Sequence, residues 1–106
     1  MIVKTVIDVT SRTTNLDGST FDLEMPKGNR GIAQVNRTDD GTGNLTVTIQ
    51  GRLSPSMAFV DISNGAITQN TTGSTAVEDI QLYPEMRAKL TVSGGASVDA
   101  VVQLGC

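Results

Sequence analysis

Two carboxylate pairs, Asp39-Asp40 and Glu78-Asp79, and one thiol, Cys106, are the residues from which this chain could build a reaction. Paired carboxylates do acid–base work when both face one cleft at a fixed separation. The first pair sits in TDDGTGN, a turn in which Asp satisfies backbone donors. The second sits in AVEDIQLY, a strand in which neighbouring residues point to opposite faces. The chain has no histidine. That removes the commonest general base and metal ligand and excludes Ser-His and Cys-His nucleophile pairs. DDGTGN lacks the alternating oxygen ligands and distal Glu of an EF-hand, so a solvated turn is expected in place of a calcium site. SGGAS has neither the spacing nor the Lys of a phosphate-binding loop. Cys106, the only cysteine, can form no intrachain disulfide and reads as a thiol on an exposed terminus. The sequence therefore predicts no enzyme, and no cofactor or metal.

The elements that could position other functions follow from composition. A chain of 106 residues makes one small domain, burying roughly 65% of its unfolded surface around a thin core. Hydrophobic residues are 38% and aromatics only 3% of the chain, so the core must be built from Val, Ile, Leu, Ala and Met. The abundance of Thr, Ser, Asn and Gly favours strands and turns. A net charge of -3 with scattered basic residues argues against nucleic acid, which needs clustered Lys and Arg and stacking aromatics. No stretch approaches the roughly 20 apolar residues of a membrane span, and MIVKTVIDVTSRTT lacks the apolar region of a secretory signal. Folding in the cytosol is expected. The Asn-X-Thr triplets at Asn36, Asn44 and Asn70 then read as Thr-rich loops.

Period-two alternation predicts about eight short strands and no helix. In IVKTVIDV, Val3, Thr5, Ile7 and Val9 share a face. GIAQVNR is the next strand, and LTVTIQGRL places Leu45, Val47, Ile49 and Leu53 on one side, with Gly51 marking a bulge or a close approach. Ser54-Pro55 turns the chain into MAFVDIS, where Phe59 is expected in the core. Asn64-Gly65 is the strongest hairpin signal. Ala76, Glu78, Ile80 and Leu82 share a face of AVEDIQLY, Tyr83-Pro84 makes a corner, and Gly94-Gly95 joins the last two strands. One core is expected to hold Leu45, Val47, Ile49, Leu90, Val92, Val102 and Leu104. One-sided strands of this kind predict an all-β fold, a small antiparallel β-sandwich or barrel, with the sandwich preferred. Residues 1–30 form an N-terminal strand and arm, and residues 31–106 the β-sandwich domain.

Within TSRTTNLDGSTFDLEMPKGNR the alternation dissolves, apart from a tight turn expected at Asp17-Gly18. Leu16, Phe21, Leu23 and Met25 are spaced through polar sequence, as in a segment that orders against a partner. Phe21 is the expected anchor, with Arg12, Lys27 and Arg30 on the rim. A thin core also predicts self-association.

Two blocks carry a resemblance. GNLTVTIQGRLSPSMAFVDIS, residues 43–63, is a Thr-alternating strand leading into a Gly, a Ser-rich turn and an aromatic-Val segment. LYPEMRAKLTVSGGASVDAVVQL, residues 82–104, is a Tyr-Pro corner, an Arg-Lys strand and a Gly-Gly hairpin. Together they resemble small β-sandwich structural proteins of tailed bacteriophages, of the capsid decoration (cement) or head-fibre type. The chain departs from that pattern at Ser54-Pro55-Ser56, where Asp-Gly is frequent, and at Phe59, where Trp is frequent. The resemblance implies a virion protein assembled in the host cytoplasm, a homotrimer that grips the major capsid protein on the capsid surface and stabilises the head. Its alternatives are a tail, neck or fibre module, or a bacterial surface-attachment or carbohydrate-binding domain. The last should carry a secretion signal and exposed aromatics.

Overall fold

The computed structural model describes residues 2–21 and 30–106. Among these the chain is all-β, and two four-stranded antiparallel sheets pack as a sandwich. The strands are β1 (Val3–Arg12), β2 (Leu16–Asp17), β3 (Arg30–Arg37), β4 (Asn44–Arg52), β5 (Val60–Thr68), β6 (Gly73–Gln81), β7 (Glu85–Ser93) and β8 (Val98–Gly105). The first sheet has the order β1-β8-β3-β6 and the second β2-β7-β4-β5.

Alternation in the four central strands sets the interior. Ala33 and Val35 of β3 and Val98, Ala100, Val102 and Leu104 of β8 face Leu45, Val47 and Ile49 of β4 and Met86, Ala88 and Leu90 of β7, all buried. Small Ala side chains set between Leu, Ile and Val let the two inner faces interdigitate at close-packed density without aromatic bulk. Of the seven expected core residues, six are fully buried, and Val92 packs half-buried at the margin.

Several local expectations give way to irregular geometry. In β1 the register shifts between Thr5 and Ile7, so Ile7 and Val9 turn inward while Val3 and Thr5 face out. In β6 an extra residue is accommodated at Glu78-Asp79, where Asp79 takes φ 61. That bulge flips the phase: Thr75 and Val77 point inward with Ile80, and Ala76 and Glu78 point out. Asn64-Gly65 makes no hairpin. Asn64 does adopt φ 68, but as a bulge inside the continuous strand β5, and its Nδ2 donates to the Glu78 carbonyl at 2.7 Å. The hairpin joins β4 to β5 earlier, through residues 53–59, which leaves Leu53 in a turn and off the core face.

Residues 16–21 are extended along the edge of β7, with no tight turn at Asp17-Gly18. Leu16 pairs with Leu90, the Gly18 amide donates to the Ala88 carbonyl at 2.8 Å, and Phe21 bridges to Met86. A Cβ at Gly18 would stand 2.7 Å from that carbonyl, so glycine is what lets the backbone come so close. The N-terminal strand is an integral member of the first sheet, and the chain crosses to the second sheet directly after it.

Candidate functional site

The described partner-binding candidates from residues 10–30 do not share a surface. Arg12 donates to the carbonyls of Thr14 (2.8 Å) and Asn15 (2.6 Å), fixing the crossing turn between the sheets. Leu16 packs half-buried against the core, and Phe21 lies within it. Arg30, at the opposite end of the sandwich from Arg12, donates to the Asp79 carbonyl at 3.0 Å. Leu23, Met25 and Lys27 lie outside the described residues. Phe21 is therefore a core side chain and is not presented as a surface anchor.

At one end of the sandwich, polar groups are tied to each other. Arg37 is fully buried on the inner side of β3. Its Nε donates to both Asp39 carboxylate oxygens (3.1 and 3.0 Å), Nη1 to the carbonyls of Gly43 (3.2 Å) and Gln69 (2.9 Å), and Nη2 to that of Thr42 (2.6 Å). Asp39 also accepts from the amides of Gly41 and Asp99, each at 2.9 Å. Burial alone would raise its pKa, but hydrogen bonds from Arg37, Gly41 and Asp99, with the guanidinium charge, outweigh it and hold the carboxyl at about 2. The cluster stitches the β3–β4 and β5–β6 loops to the start of β8. A shallow depression of about 360 Å³ beside it is lined by Ser11, Asp40, Thr42, Gly95, Ser97 and Asp99 as well as Asp39. Asp40 accepts from the Thr42 amide and Asp99 from the Ser11 amide. Among the described residues no three carboxylate or thiol groups converge as a metal site.

The other end holds all three aromatic residues. Phe59 is not core. It lies on the outer side of the second sheet, with the Arg52 and Arg87 guanidinium carbons each 4.3 Å from its ring centroid, a cation–π arrangement. Arg52 pairs with Glu85 at 2.7 Å, Arg87 donates to Gln50 at 2.8 Å, and Gln50 donates to Asp61 at 2.7 Å. The Tyr83 ring packs against Gly51, where a Cβ would come within 2.5 Å of it. That is the close approach the sequence marked at Gly51.

The large apolar side chains left exposed among the described residues are Ile2, Val3, Ile32, Leu53, Met57 and Val60. All belong to this end. Val3 and Ile32 both lie opposite Gly105, and Leu53, Met57 and Val60 belong to the β4–β5 connection. Sequence periodicity hid Leu53 by assigning it to the β4 core face. Pro55 two residues later was the signal that the strand had ended.

The two outer faces arrange their charges differently, the first keeping Arg30, Glu78 and Asp99 toward its two ends. On the first sheet, register aligns Ser74, Asn36, Val101 and Asp8 in one row and Ala76, Gln34, Gln103 and Thr5 in the next. Asp8 is the one charge among those eight positions. Ser74 donates to Asn36 at 2.8 Å and Gln103 to Thr5 at 3.2 Å, so polar side chains are tied across neighbouring strands. The second sheet presents Asp17, Lys89, Arg87, Glu85, Arg52 and Asp61 among its threonines. Comparison of the chain with known protein families, curated proteins and solved structures gives no match.

Proposed function

We propose that the chain is a non-enzymatic structural protein of a phage particle, a capsid decoration protein that lies on the major capsid protein and reinforces the shell. One observation carries the reading: two adjacent rows of the first sheet's outer face, eight positions across its four strands, hold the single charge Asp8, while Arg30, Glu78 and Asp99 stand beyond their ends. Depletion of charged side chains marks the centre of protein interfaces, because each buried unpaired charge costs several kcal/mol. The short Ser, Asn and Thr side chains lose less rotamer entropy on contact than Lys, Arg or Glu would, and with the Gln amides they offer both donors and acceptors to a partner backbone.

The remaining ionisable groups support a scaffold role. Arg37 with Asp39, and Arg52 with Glu85, serve the fold itself. A carbohydrate-binding role draws no support from the aromatics. Phe21 is buried, Phe59 is covered by two arginines and Tyr83 packs on Gly51. Many weak copies acting on one lattice would sum to strong reinforcement through effective concentration.

The test is direct. Purified protein is added to capsids assembled without it, and bound protein and the capsid disruption temperature are measured. Saturable binding with a raised disruption temperature is expected. Capsids that bind none of it overturn the reading.

A further inference from the structure

We infer that Asn64 is a site of spontaneous deamidation, shielded while the seam between β5 and β6 is closed and reactive once it opens. Asn64 is the only asparagine in the chain followed by glycine. Glycine carries no Cβ, so its amide nitrogen can swing onto the preceding carboxamide where any other residue is hindered. The Gly65 amide gives its proton to hydroxide and attacks Asn64 Cγ. The Cγ–Nδ2 bond breaks, and the departing nitrogen takes a proton from water and leaves as ammonia. The succinimide ring so formed takes up water and opens to aspartate or isoaspartate. No oxidant or reductant is needed, and water is the sole co-reactant.

The closed seam keeps both reacting groups off this path. β5 and β6 are edge strands of different sheets, and Asn64 Nδ2 donates across to the Glu78 carbonyl at 2.7 Å. The nitrogen that must leave is therefore one that fastens the two sheets. Gly65 behind it is buried, although Asn64 itself is exposed. A Cβ at Gly65 would stand 2.9 Å from the Ile62 carbonyl and 3.1 Å from that of Ile49. The peptide thus has little room to rotate, and burial keeps hydroxide from its N–H. A left-handed residue marks the bulge on each side, Asn64 at φ 68 and Asp79 at φ 61. Reaction requires a local opening of these edge strands, which costs less than global unfolding.

The product does not restore the latch. A carboxylate at position 64 has no hydrogen to donate, so it sets an anion against the Glu78 carbonyl and leaves that acceptor unpaired. The exposed side chains of Glu78 and Asp79 share the facing bulge, and the guanidinium of Arg30 beside them already donates to the Asp79 carbonyl at 3.0 Å. Isoaspartate also lengthens the backbone by a methylene between the two paired halves of β5. Those halves set Val60 and Asp61 against Gly51 and Gln50, and Ala66 to Thr68 against Thr48 to Thr46. A transient opening is thereby made permanent. This chemistry involves no capsid and stands independently of the attachment reading.

Peptide mapping by mass spectrometry tests it on the wild-type chain, held at mildly alkaline pH in buffer and in guanidinium chloride. In denaturant, Asn64 is expected to convert faster than Asn36, Asn44 and Asn70, which precede Arg37, Leu45 and Thr71. In buffer its conversion should slow at least about tenfold, because modification tracks the population of the opened form. Asn64→Asp reproduces one of the products. It should lower Tm by on the order of 5 °C, as the loss of one hydrogen bond does in a domain of this size, and failure to fold is the stronger form of the same result. Conversion of Asn64 no faster than that of the other three in denaturant, a smaller slowing in buffer, or an Asn64→Asp variant that melts with wild type each overturns the proposal.

Discussion

Replacing Asp39 with Asn should destabilise the protein strongly and remove part of its sensitivity to acid. The folded-state pKa of Asp39 is lowered from 3.8 to about 2. At about 1.4 kcal/mol per unit, that shift corresponds to roughly 2.5 kcal/mol of stability. The folded pKa is the depressed one, so this contribution is fully present above pH 3.8 and is lost as the pH falls toward 2. Asparagine keeps the shape but not the charge. Arg37, fully buried, would then be an uncompensated cation, and the amide nitrogen of the new side chain would face donors that a carboxylate accepts. Leaving a buried charge unpaired costs about 3 to 5 kcal/mol, which for a domain of this size lowers Tm by on the order of 15 °C. Thermal unfolding followed by circular dichroism, at ~pH 7 and at about pH 2.5, measures both effects. The neutral-pH Tm of Asp39→Asn should lie far below wild type, and the gap should narrow in acid as wild-type Asp39 protonates. A variant within a few degrees of wild type at neutral pH, or a gap that does not narrow in acid, would refute the assignment of this pair as the pin of the loop end.

Two further substitutions probe the packing. Leu90→Ala removes a fully buried side chain between the sheets and should cost about 2 to 5 kcal/mol in urea unfolding; a loss under about 1 kcal/mol would mean the interior is looser than described. Gly51→Ala forces a methyl group to within 2.5 Å of the Tyr83 ring. It should cost about 1 to 3 kcal/mol and shift the tyrosine fluorescence, and a neutral effect on both would contradict the close approach.

How much of this was legible depended on how regular each segment is. The β4, β7 and β8 interiors were readable because Leu45, Val47, Ile49, Leu90, Val102 and Leu104 keep a strict period of two over uninterrupted pairing. The reading failed where one extra residue shifts the phase. Alternation alone cannot show the bulges at Val6 and at Glu78-Asp79, since a bulge reverses every side chain beyond it without changing composition. Asn64-Gly65 carried a true signal for positive φ but not for its use, because a strand bulge and a hairpin turn need the same residue types. The site was less legible than the fold. Residues 16–21 looked like a free arm because their pattern is poor, yet they cap the β7 edge through backbone bonds that leave no period-two signature. Phe59 was assigned to the core on its size, and only the convergence of Arg52 and Arg87 from two strands placed it outside. The charge-poor rows of the first sheet could not be seen at all, because Ser74, Asn36, Val101 and Asp8 come together only through register.

A single charge placed in those rows gives the most direct test of the attachment account. Ala76→Arg introduces a guanidinium beside Gln34, at the exposed β6 end of its row, while Thr46→Arg places one on the outer face of the second sheet as a control. Both variants should fold as wild type. Their binding to capsids assembled without the protein is then compared by co-sedimentation over a range of protein concentrations. The account predicts that Ala76→Arg weakens binding at least tenfold, since about 1.4 kcal/mol suffices for that, while Thr46→Arg binds as wild type does. Undiminished binding by Ala76→Arg, or a loss confined to Thr46→Arg, would contradict it.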